Sequence, residues 1–306
     1  MLDVEVDSKG NIYVADWGTK RIRKFSPEGK FLLSIGRAGQ GPGEFAPVFS
    51  MELDKWDNIY VSDGINARIQ KFSSEGKFLK SMKVFINDLN DFEIIDDKIY
   101  YRISFPQKGL LAESDTSLTY SREILPIDPA IKKDFENARL TSLSFTVLPN
   151  KTFIFFNSIT KKFYKLDQNG KLINSYDINC KKLLNLMDKN KEIYDKRDRE
   201  RKKIKSNVVA KSISKFPIFT NINVFDNFIY AMATKIIEFG NSLECENILY
   251  QIDTKGNFLR EYIGFKNSHK TFTIDKDGFI FAFEWDEAKV SKYKKIKINR
   301  KGVYNE

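Results

Sequence analysis

Residues 2–36 and 49–83 are one segment written twice. Asp7-Ser8-Lys9-Gly10-Asn11-Ile12-Tyr13-Val14-Ala15-Asp16 returns 47 residues later as Asp54-Lys55-Trp56-Asp57-Asn58-Ile59-Tyr60-Val61-Ser62-Asp63. The register runs without a gap through Arg21/Arg68, Lys24/Lys71, Phe25/Phe72 and Gly29/Gly76, and 18 of the 35 aligned positions are identical. A repeat of about 40–50 residues built from strand-like pieces specifies a propeller or a solenoid rather than an ordinary globular domain.

Weaker copies follow. Lys151-Thr152-Phe153-Ile154-Phe155-Phe156-Asn157 aligns with Gly10–Asp16 at an offset of 141, and Gly170 then falls on Gly29. Asp275–Glu284 aligns with Asp7–Asp16 at an offset of 268. Asp97-Lys98-Ile99-Tyr100 and Asp226-Asn227-Phe228-Ile229-Tyr230 are degenerate copies, and Gly256 closes the fifth unit. Six units result, with expected boundaries near 1–36, 49–86, 91–127, 139–178, 216–264 and 270–306.

Each unit reads as four short strands separated by turn residues, in the first case Ser8-Lys9-Gly10, Trp17-Gly18-Thr19-Lys20 and Pro27-Glu28-Gly29. The second strand is almost continuously apolar (Ile12-Tyr13-Val14-Ala15, Phe153-Ile154-Phe155-Phe156, Phe279–Phe283). A strand buried on both faces reads this way, whereas a sheet with one wet face alternates. The expectation is an all-β, six-bladed β-propeller of four-stranded antiparallel blades, forming one domain over residues 1–306. The 26 Phe suit blade-to-blade packing.

Gly10-Asn11-Ile12-Tyr13-Val14-Ala15-Asp16, Arg21-Ile22 and Phe25-Ser26-Pro27-Glu28-Gly29-Lys30-Phe31-Leu32 resemble the NHL repeat. Ile35-Gly36-Arg37-Ala38-Gly39-Gln40-Gly41-Pro42-Gly43-Glu44-Phe45 is similar to the segment between blades of bacterial six-bladed NHL-type propellers. The His usual before the repeat's Arg is replaced by Lys20 and Ala67. The resemblance implies a six-bladed propeller but no single activity, since the family includes binding scaffolds, RNA binders, and some lyases and hydrolases. It also allows a periplasmic or secreted location. No basic and apolar leader precedes the first repeat strand, and no run of 18 apolar residues would span a membrane. Cys180 and Cys245 are too few for a disulfide framework.

The net charge of +10 is unevenly placed. Residues 181–215 hold 13 Lys/Arg and 5 Asp/Glu and interrupt the repeat between units four and five. Leu183, Leu186, Met187, Ile193 and Tyr194 fall at helical spacings, and Glu192–Lys196, Asp195–Arg199 and Asp198–Lys202 are acid-to-base pairs at i,i+4. A basic helical insertion over 180–215 is expected to lie on the propeller by its apolar face. Arg197, Arg199, Arg201, Lys202 and Lys203 are its candidate polyanion-binding residues.

In an antiparallel meander, the loop from second to third strand and the connector to the next blade leave by one face, here termed the upper face. Asp16 is followed five residues later by Arg21, Asp63 by Arg68, Asn157 by Lys162 and Glu284 by Lys289, all on this face. Blade three keeps only Lys108. One reading is structural, with the acid capping loop N–H groups and the base bridging to a neighbour. The other is a ring of donors and acceptors for a polar ligand. Trp17 and Trp285 share one loop position on blades one and six, which become neighbours when the ring closes. They either cover their loops or form a stacking platform.

Catalytic signals are thin. The single histidine, His269, excludes multi-His metal clusters and reads as a polar loop residue. Glu5 and Glu52 repeat on innermost strands and are weak candidates for a Ca²⁺ site in the channel, because Thr146 and Thr273 rather than further acids hold the equivalent places. The Gly36–Gly43 series precedes Pro47 and a strand, not a helix, so it lacks phosphate-loop geometry. The leading expectation is a binding or scaffold protein without cofactor, engaging a protein, peptide or other polar ligand by Asp16, Trp17, Arg21, Asp63, Arg68, Glu284, Trp285 and Lys289. The alternatives are an NHL-type lyase or hydrolase with a channel metal, and an RNA or anionic-surface binder acting through the basic helix.

Overall fold

The structure is a computed structural model. It describes residues 2–16, 18–46, 48, 50–84, 92–102, 109–137, 143–203, 219–239, 242–266, 268–284 and 289–292. Blade one comprises β1 (Leu2–Val6), β2 (Ile12–Asp16), β3 (Arg21–Phe25) and β4 (Phe31–Ile35). A connector carrying β5 (Arg37–Ala38) and β6 (Glu44–Phe45) leads to blade two: β7 (Ser50–Leu53), β8 (Ile59–Asp63), β9 (Arg68–Phe72) and β10 (Phe78–Lys83). Blade three is β11 (Phe92–Ile95), β12 (Lys98–Arg102), β13 (Gly109–Asp115) and β14 (Ser121–Pro126). After α1 (Lys132–Asn137) comes blade four: β15 (Leu143–Val147), β16 (Phe153–Asn157), β17 (Lys162–Leu166) and β18 (Leu172–Asp177). Helix α2 (Lys181–Lys203) precedes blade five: β19 (Phe219–Phe225), β20 (Phe228–Phe239), β21 (Ser242–Asp253) and β22 (Phe258–Lys266). Blade six shows β23 (Ser268–Ile274), β24 (Ile280–Glu284) and β25 (Lys289–Lys292).

Five sheets are four-stranded antiparallel meanders, and the sixth has three described strands. The innermost strands pack in a closed circle, β1 against β7, β7 against β11, and on through β15, β19 and β23 back to β1. The sequence expectation therefore holds for blade count and strand pattern. The helical insertion is described from Lys181 to Lys203, and residues 204–215 lie outside the described residues. Neither α1 nor the two-stranded parallel β5–β6 pairing was expected.

Six apolar clusters explain why the sheets stack. Tyr13 and Ala15 of β2 meet Met51, Ile59 and Val61 of blade two. Their sequence neighbours Ile12 and Val14 turn the other way and meet Phe281 of blade six. Tyr60 packs on Ile99 and Tyr101 of blade three, and Tyr100 on Phe153 and Phe155 of blade four. Ile154 and Phe156 pack on Ile229 and Ala231, and Tyr230 and Met232 on Ile280 and Ala282. Alternate residues of one strand thus feed the interfaces on either side, so β8 and β16 are buried along their whole length. Burying each such side chain contributes about 1.5–3 kcal/mol. The outermost strands carry the exposed apolar residues Leu32, Leu79 and Ile173.

A polar staple fastens the lower face. Asp54 accepts hydrogen bonds from the Trp56 and Asn58 N–H groups (3.0 and 2.9 Å) and the Asn58 amide (2.9 Å). The Tyr60 hydroxyl lies 3.1 Å from Asp54 Oδ2 and 2.8 Å from the Thr116 carbonyl of blade three. Lys71 Nζ donates to that carbonyl at 3.0 Å and lies 3.8 Å from Asp54. Asp7, Asn11, Tyr13 and Lys24 repeat the arrangement on the Ser74 carbonyl of blade two. Hydrogen bonds from Asn11 and Lys9, with the Lys24 ammonium, outweigh the burial of Asp7 and hold its carboxyl below the usual value.

Asp54→Ala strips the staple and leaves the Lys71 ammonium and Tyr60 hydroxyl short of a partner. It should cost about 3 kcal/mol. Asp167→Ala removes only two N–H contacts in an exposed turn (2.8 and 2.9 Å to Asn169 and Lys171). It should cost about 1 kcal/mol. Urea unfolding of both variants measures the difference; equal losses would remove the staple from the account of blade docking.

Candidate functional site

The four acid–base pairs on the upper face are cross-strand partners. Asp16 faces Arg21, Asp63 faces Arg68, Asn157 faces Lys162 and Glu284 faces Lys289 in the β2–β3, β8–β9, β16–β17 and β24–β25 registers. Only the backbone is described for Glu284 and Lys289, and Trp17, Trp285 and Lys108 lie outside the described residues.

Asp63 is fully buried. It accepts from Arg68 Nε at 2.8 Å, Asn66 Nδ2 at 2.9 Å, Gln70 Nε2 at 3.2 Å and the Ala46 N–H at 3.0 Å. Arg68 then donates to the Gly41 and Glu44 carbonyls at 2.9 and 2.8 Å. Gln70 donates to the Glu44 carbonyl at 2.7 Å and accepts from the Gly43 N–H at 3.0 Å. Asn66 reaches the Gly39 carbonyl at 3.2 Å. Six side-chain hydrogen bonds from blade two therefore pin the glycine-rich connector that arrives from blade one. The glycines let it lie this close: Gly36 has φ +74°, and a Cβ there would meet the Phe45 ring at 2.1 Å.

Asn157 does the same work in blade four. It is fully buried, accepts from the Ile159 and Thr160 N–H groups at 2.9 and 3.2 Å, and donates to the Asp134 carbonyl of α1 at 3.0 Å. Tyr164 adds a bond to the Asp134 carboxylate at 2.7 Å. Blade five has Ala233 three residues beyond Tyr230, where Asp16 stands three beyond Tyr13. There α2 supplies the group, with Asn190 donating to the Thr234 carbonyl at 2.7 Å. The repeated polar position is a latch for whichever connector crosses it.

Blade one differs. Asp16 caps its own loop, accepting from the Gly18 and Thr19 N–H groups at 2.9 and 3.2 Å and from the Thr19 hydroxyl at 2.6 Å. Its cation is Arg23 at 3.5 Å rather than Arg21. Burial of Asp16 is outweighed by these bonds and by Arg23, which hold its carboxyl below the usual value. Arg21 stays exposed.

The channel corrects the sequence expectation of two carboxylates. Glu5, Glu52 and Glu93 face Tyr13, Tyr60 and Tyr100 in their strand registers, so Glu93 is a third acid in the same ring. Thr146, Asn223 and Thr273 take the other three places. The Val147 N–H and the Thr146 hydroxyl donate to Glu93 at 2.8 and 3.2 Å, and Thr273 donates to Glu5 at 3.0 Å. Among the described residues no group of three or more His, Cys, Asp or Glu side chains is placed to hold a metal ion. Glu5 is partly accessible through the channel, yet desolvation by the surrounding protein, reinforced by Asp3, raises its carboxyl well above the usual value.

Helix α2 docks by Leu183, Leu186 and Met187, which are buried against blades four and five, and Ile193 further along is also buried. Lys161–Asp188 and Lys182–Glu261 ion pairs, each 2.6 Å, flank the seam. Arg197, Arg199, Arg201, Lys202 and Lys203 lie in its last two turns. Sequence reasoning passed over Trp56, which stands 57% exposed on the opposite, lower face with Lys55 Nζ 4.2 Å from its ring centroid.

Residues 4–239 match the family described as 6-bladed beta-propeller, DUF5128. This chain belongs to that family. Among solved structures it is similar to a member of the DUF4221 family from Bacteroides vulgatus, at 14% identity and TM-score 0.58, covering 92% of this chain and 86% of that one. It is also similar to streptogramin B lyase, at 13% identity and TM-score 0.52, covering 97% and 83%. A putative exported protein from Bacteroides fragilis gives 12% identity and TM-score 0.51, covering 92% and 78%. These likenesses are of fold. No curated protein matches the sequence.

Arg68→Ala leaves the buried Asp63 carboxylate without its cation and should cost about 3 kcal/mol. Hydrogen exchange at the Gly43 and Ala46 amides should accelerate in that variant. Arg21→Ala should fall within about 0.5 kcal/mol of the parent. A latch role fails if both substitutions give the same loss.

Because the Glu5 pKa is raised on folding, its protonated form favours the fold, and that contribution disappears as pH climbs through the raised value. Glu5→Gln keeps the carbonyl acceptor for Thr273 and cannot ionise. It should be more stable than the parent near about pH 8 and nearly equal near about pH 4, where both carry a neutral side chain. Thermal unfolding at the two pH values reads the sign, and a Gln variant weaker than the parent at high pH would contradict it.

Proposed function

We propose that the protein is a binding propeller without catalytic activity of its own, which presents its upper face to a protein or peptide. The observation that carries this reading is Ile65. This side chain is 65% exposed on the 3-10 turn Gly64–Asn66, whose Asn66 is held by Asp63 and by the Gly39 carbonyl. Leaving a large apolar side chain in water on a fastened turn gives a contact point that loses little conformational freedom on binding. Arg37, 73% exposed, lies on the connector under the same latch, and Arg21 stands exposed on the neighbouring blade. Apolar groups flanked by arginine suit protein recognition.

The same geometry argues against a catalytic ring. Asp63, Arg68 and Asn157 hold connectors through bonds that a substrate would have to break. Trp17 and Trp285, which follow Asp16 and Glu284 in the sequence, belong to the proposal as aromatic additions to the surface that Asp16, Arg21, Glu284 and Lys289 contribute to. Streptogramin B lyase, similar in fold, carries the competing reading, in which the channel carboxylates would take part in a lyase reaction.

Selection of a displayed random peptide library tests the proposal. Ligands should be recovered whose binding falls at least about tenfold in Ile65→Asp or Arg37→Glu, the size expected when a central contact is lost. Lower-face Trp56→Ala should leave them unchanged. Recovered ligands insensitive to Ile65 and Arg37 would place the surface elsewhere. Opening of a streptogramin B lactone that disappears in Glu5→Gln or Glu52→Gln would replace the reading with the enzymatic one.

A further inference from the structure

The positive charge of this disc is gathered on one side by its own topology. The turns from first to second and from third to fourth strands all leave by the lower face. Over blades one to six the described turns of this kind hold eleven Asp/Glu and eight Lys/Arg. Their acids are there for a local reason, since Asp7, Asp54, Asp167 and Asp275 cap turn N–H groups. Helix α2, on the upper face, holds ten Lys/Arg and five Asp/Glu. Its place on that face is fixed by the Lys161–Asp188 pair, because Lys161 sits in the β16–β17 loop, and by Asn190 on the Thr234 carbonyl.

We propose that the basic side of α2 docks the upper face of the propeller onto an anionic phospholipid surface, with the acidic lower face turned away. This goes beyond the protein-binding reading and does not depend on it. Three features choose a membrane surface over other polyanions. Leu183, Leu186 and Met187 of α2 are already buried in the propeller core, so these side chains are not available to insert into lipid and the docking rests on charge. Lys189, Lys191 and Lys196 are exposed on the docked part of the helix, which crosses the upper end of the ring, so their charge is presented at one end of the propeller, an arrangement matched to a flat layer of headgroups. Single-stranded nucleic acid is gripped by basic grooves with aromatic platforms. Among the described residues, the exposed aromatic side chains Phe31, Trp56 and Tyr120, at 54%, 57% and 37%, stand instead on the lower side. Each Lys or Arg near an anionic leaflet adds attraction that decays over a Debye length, so the docking is additive and salt-sensitive.

Co-sedimentation of the full chain with vesicles of about 30 mol% phosphatidylglycerol in phosphatidylcholine tests this, against vesicles of phosphatidylcholine alone. Binding is expected only to the anionic vesicles, falling at least about tenfold between about 50 and about 300 mM salt. The variant Arg197→Gln, Arg199→Gln, Arg201→Gln, Lys202→Gln, Lys203→Gln should lose at least about tenfold in partitioning. A control variant removes the same charge from the other side, as Lys9→Gln, Lys30→Gln, Lys77→Gln, Lys171→Gln and Lys255→Gln, and should bind as the parent does. If the helix variant unfolds by circular dichroism, Lys189→Gln, Lys191→Gln, Lys196→Gln on the docked turns takes its place, with a loss of about fivefold or more. Equal losses in helix and control variants, equal binding to neutral vesicles, or retention on single-stranded RNA with vesicles left unbound would each overturn the proposal.

Discussion

Everything in this molecule follows from covering one strand on both faces. The second strand of each blade is apolar at consecutive positions, so neither side can face water, and the chain answers by stacking six sheets in a circle. Ile12 and Val14 cannot be buried until blade six arrives, because Phe281 is their partner. Tyr13 and Ala15 wait for blade two. A ring in which each strand serves two interfaces leaves no blade with an independent core. The apolar interfaces are supplemented by a few polar contacts that cross from blade to blade. The Tyr60 hydroxyl and the Lys71 ammonium reach across to the Thr116 carbonyl, so they fix the angle at which an otherwise greasy interface docks.

The blades were legible in the sequence because the signals that make them are local. Asp-x-x-x-Asn with Tyr two residues later marks a capped turn opening a buried strand, and its spacing survives in blade two unaltered. What was not legible depends on residues distant in the chain. Asp63 and Arg68 could be read as a pair, but their partners, the Gly41 and Glu44 carbonyls, lie on a connector more than twenty residues earlier. Nothing in the pair itself says whether it grips a ligand or a passing backbone. Glu93 was missed for a related reason. Blade three has lost the Asn and Gly of its first turn, so the alignment that places Glu5 and Glu52 in register had no anchor there until β11 paired with β12.

The latches also explain how the propeller tolerates such different connectors. One is a glycine-rich loop, one a short helix, one a helix of 23 residues. Each crosses the upper end of the next blade, and each meets a polar group there: Asp63, Asn157, and the Thr234 carbonyl for α2. A blade therefore asks only that something cross its upper end and accept or donate a hydrogen bond. Connector length and composition are then free to vary, so the upper face can acquire new surface without disturbing the ring.

The two faces consequently answer to different constraints. Lower-face composition is shaped by turn chemistry, because carboxylates cap the first turns of blades one, two and six, and this draws acids to that side whatever the protein binds. The upper face carries no such requirement beyond its latches. Its connectors differ in charge and shape from blade to blade, and the largest of them is strongly basic. A repeat fold that concentrates obligatory residues at one end of each blade leaves variation to the other end. Function specific to this chain is therefore to be sought where the repeat is broken, at Ile65 on its fastened turn and along the outward side of α2, rather than where it is kept.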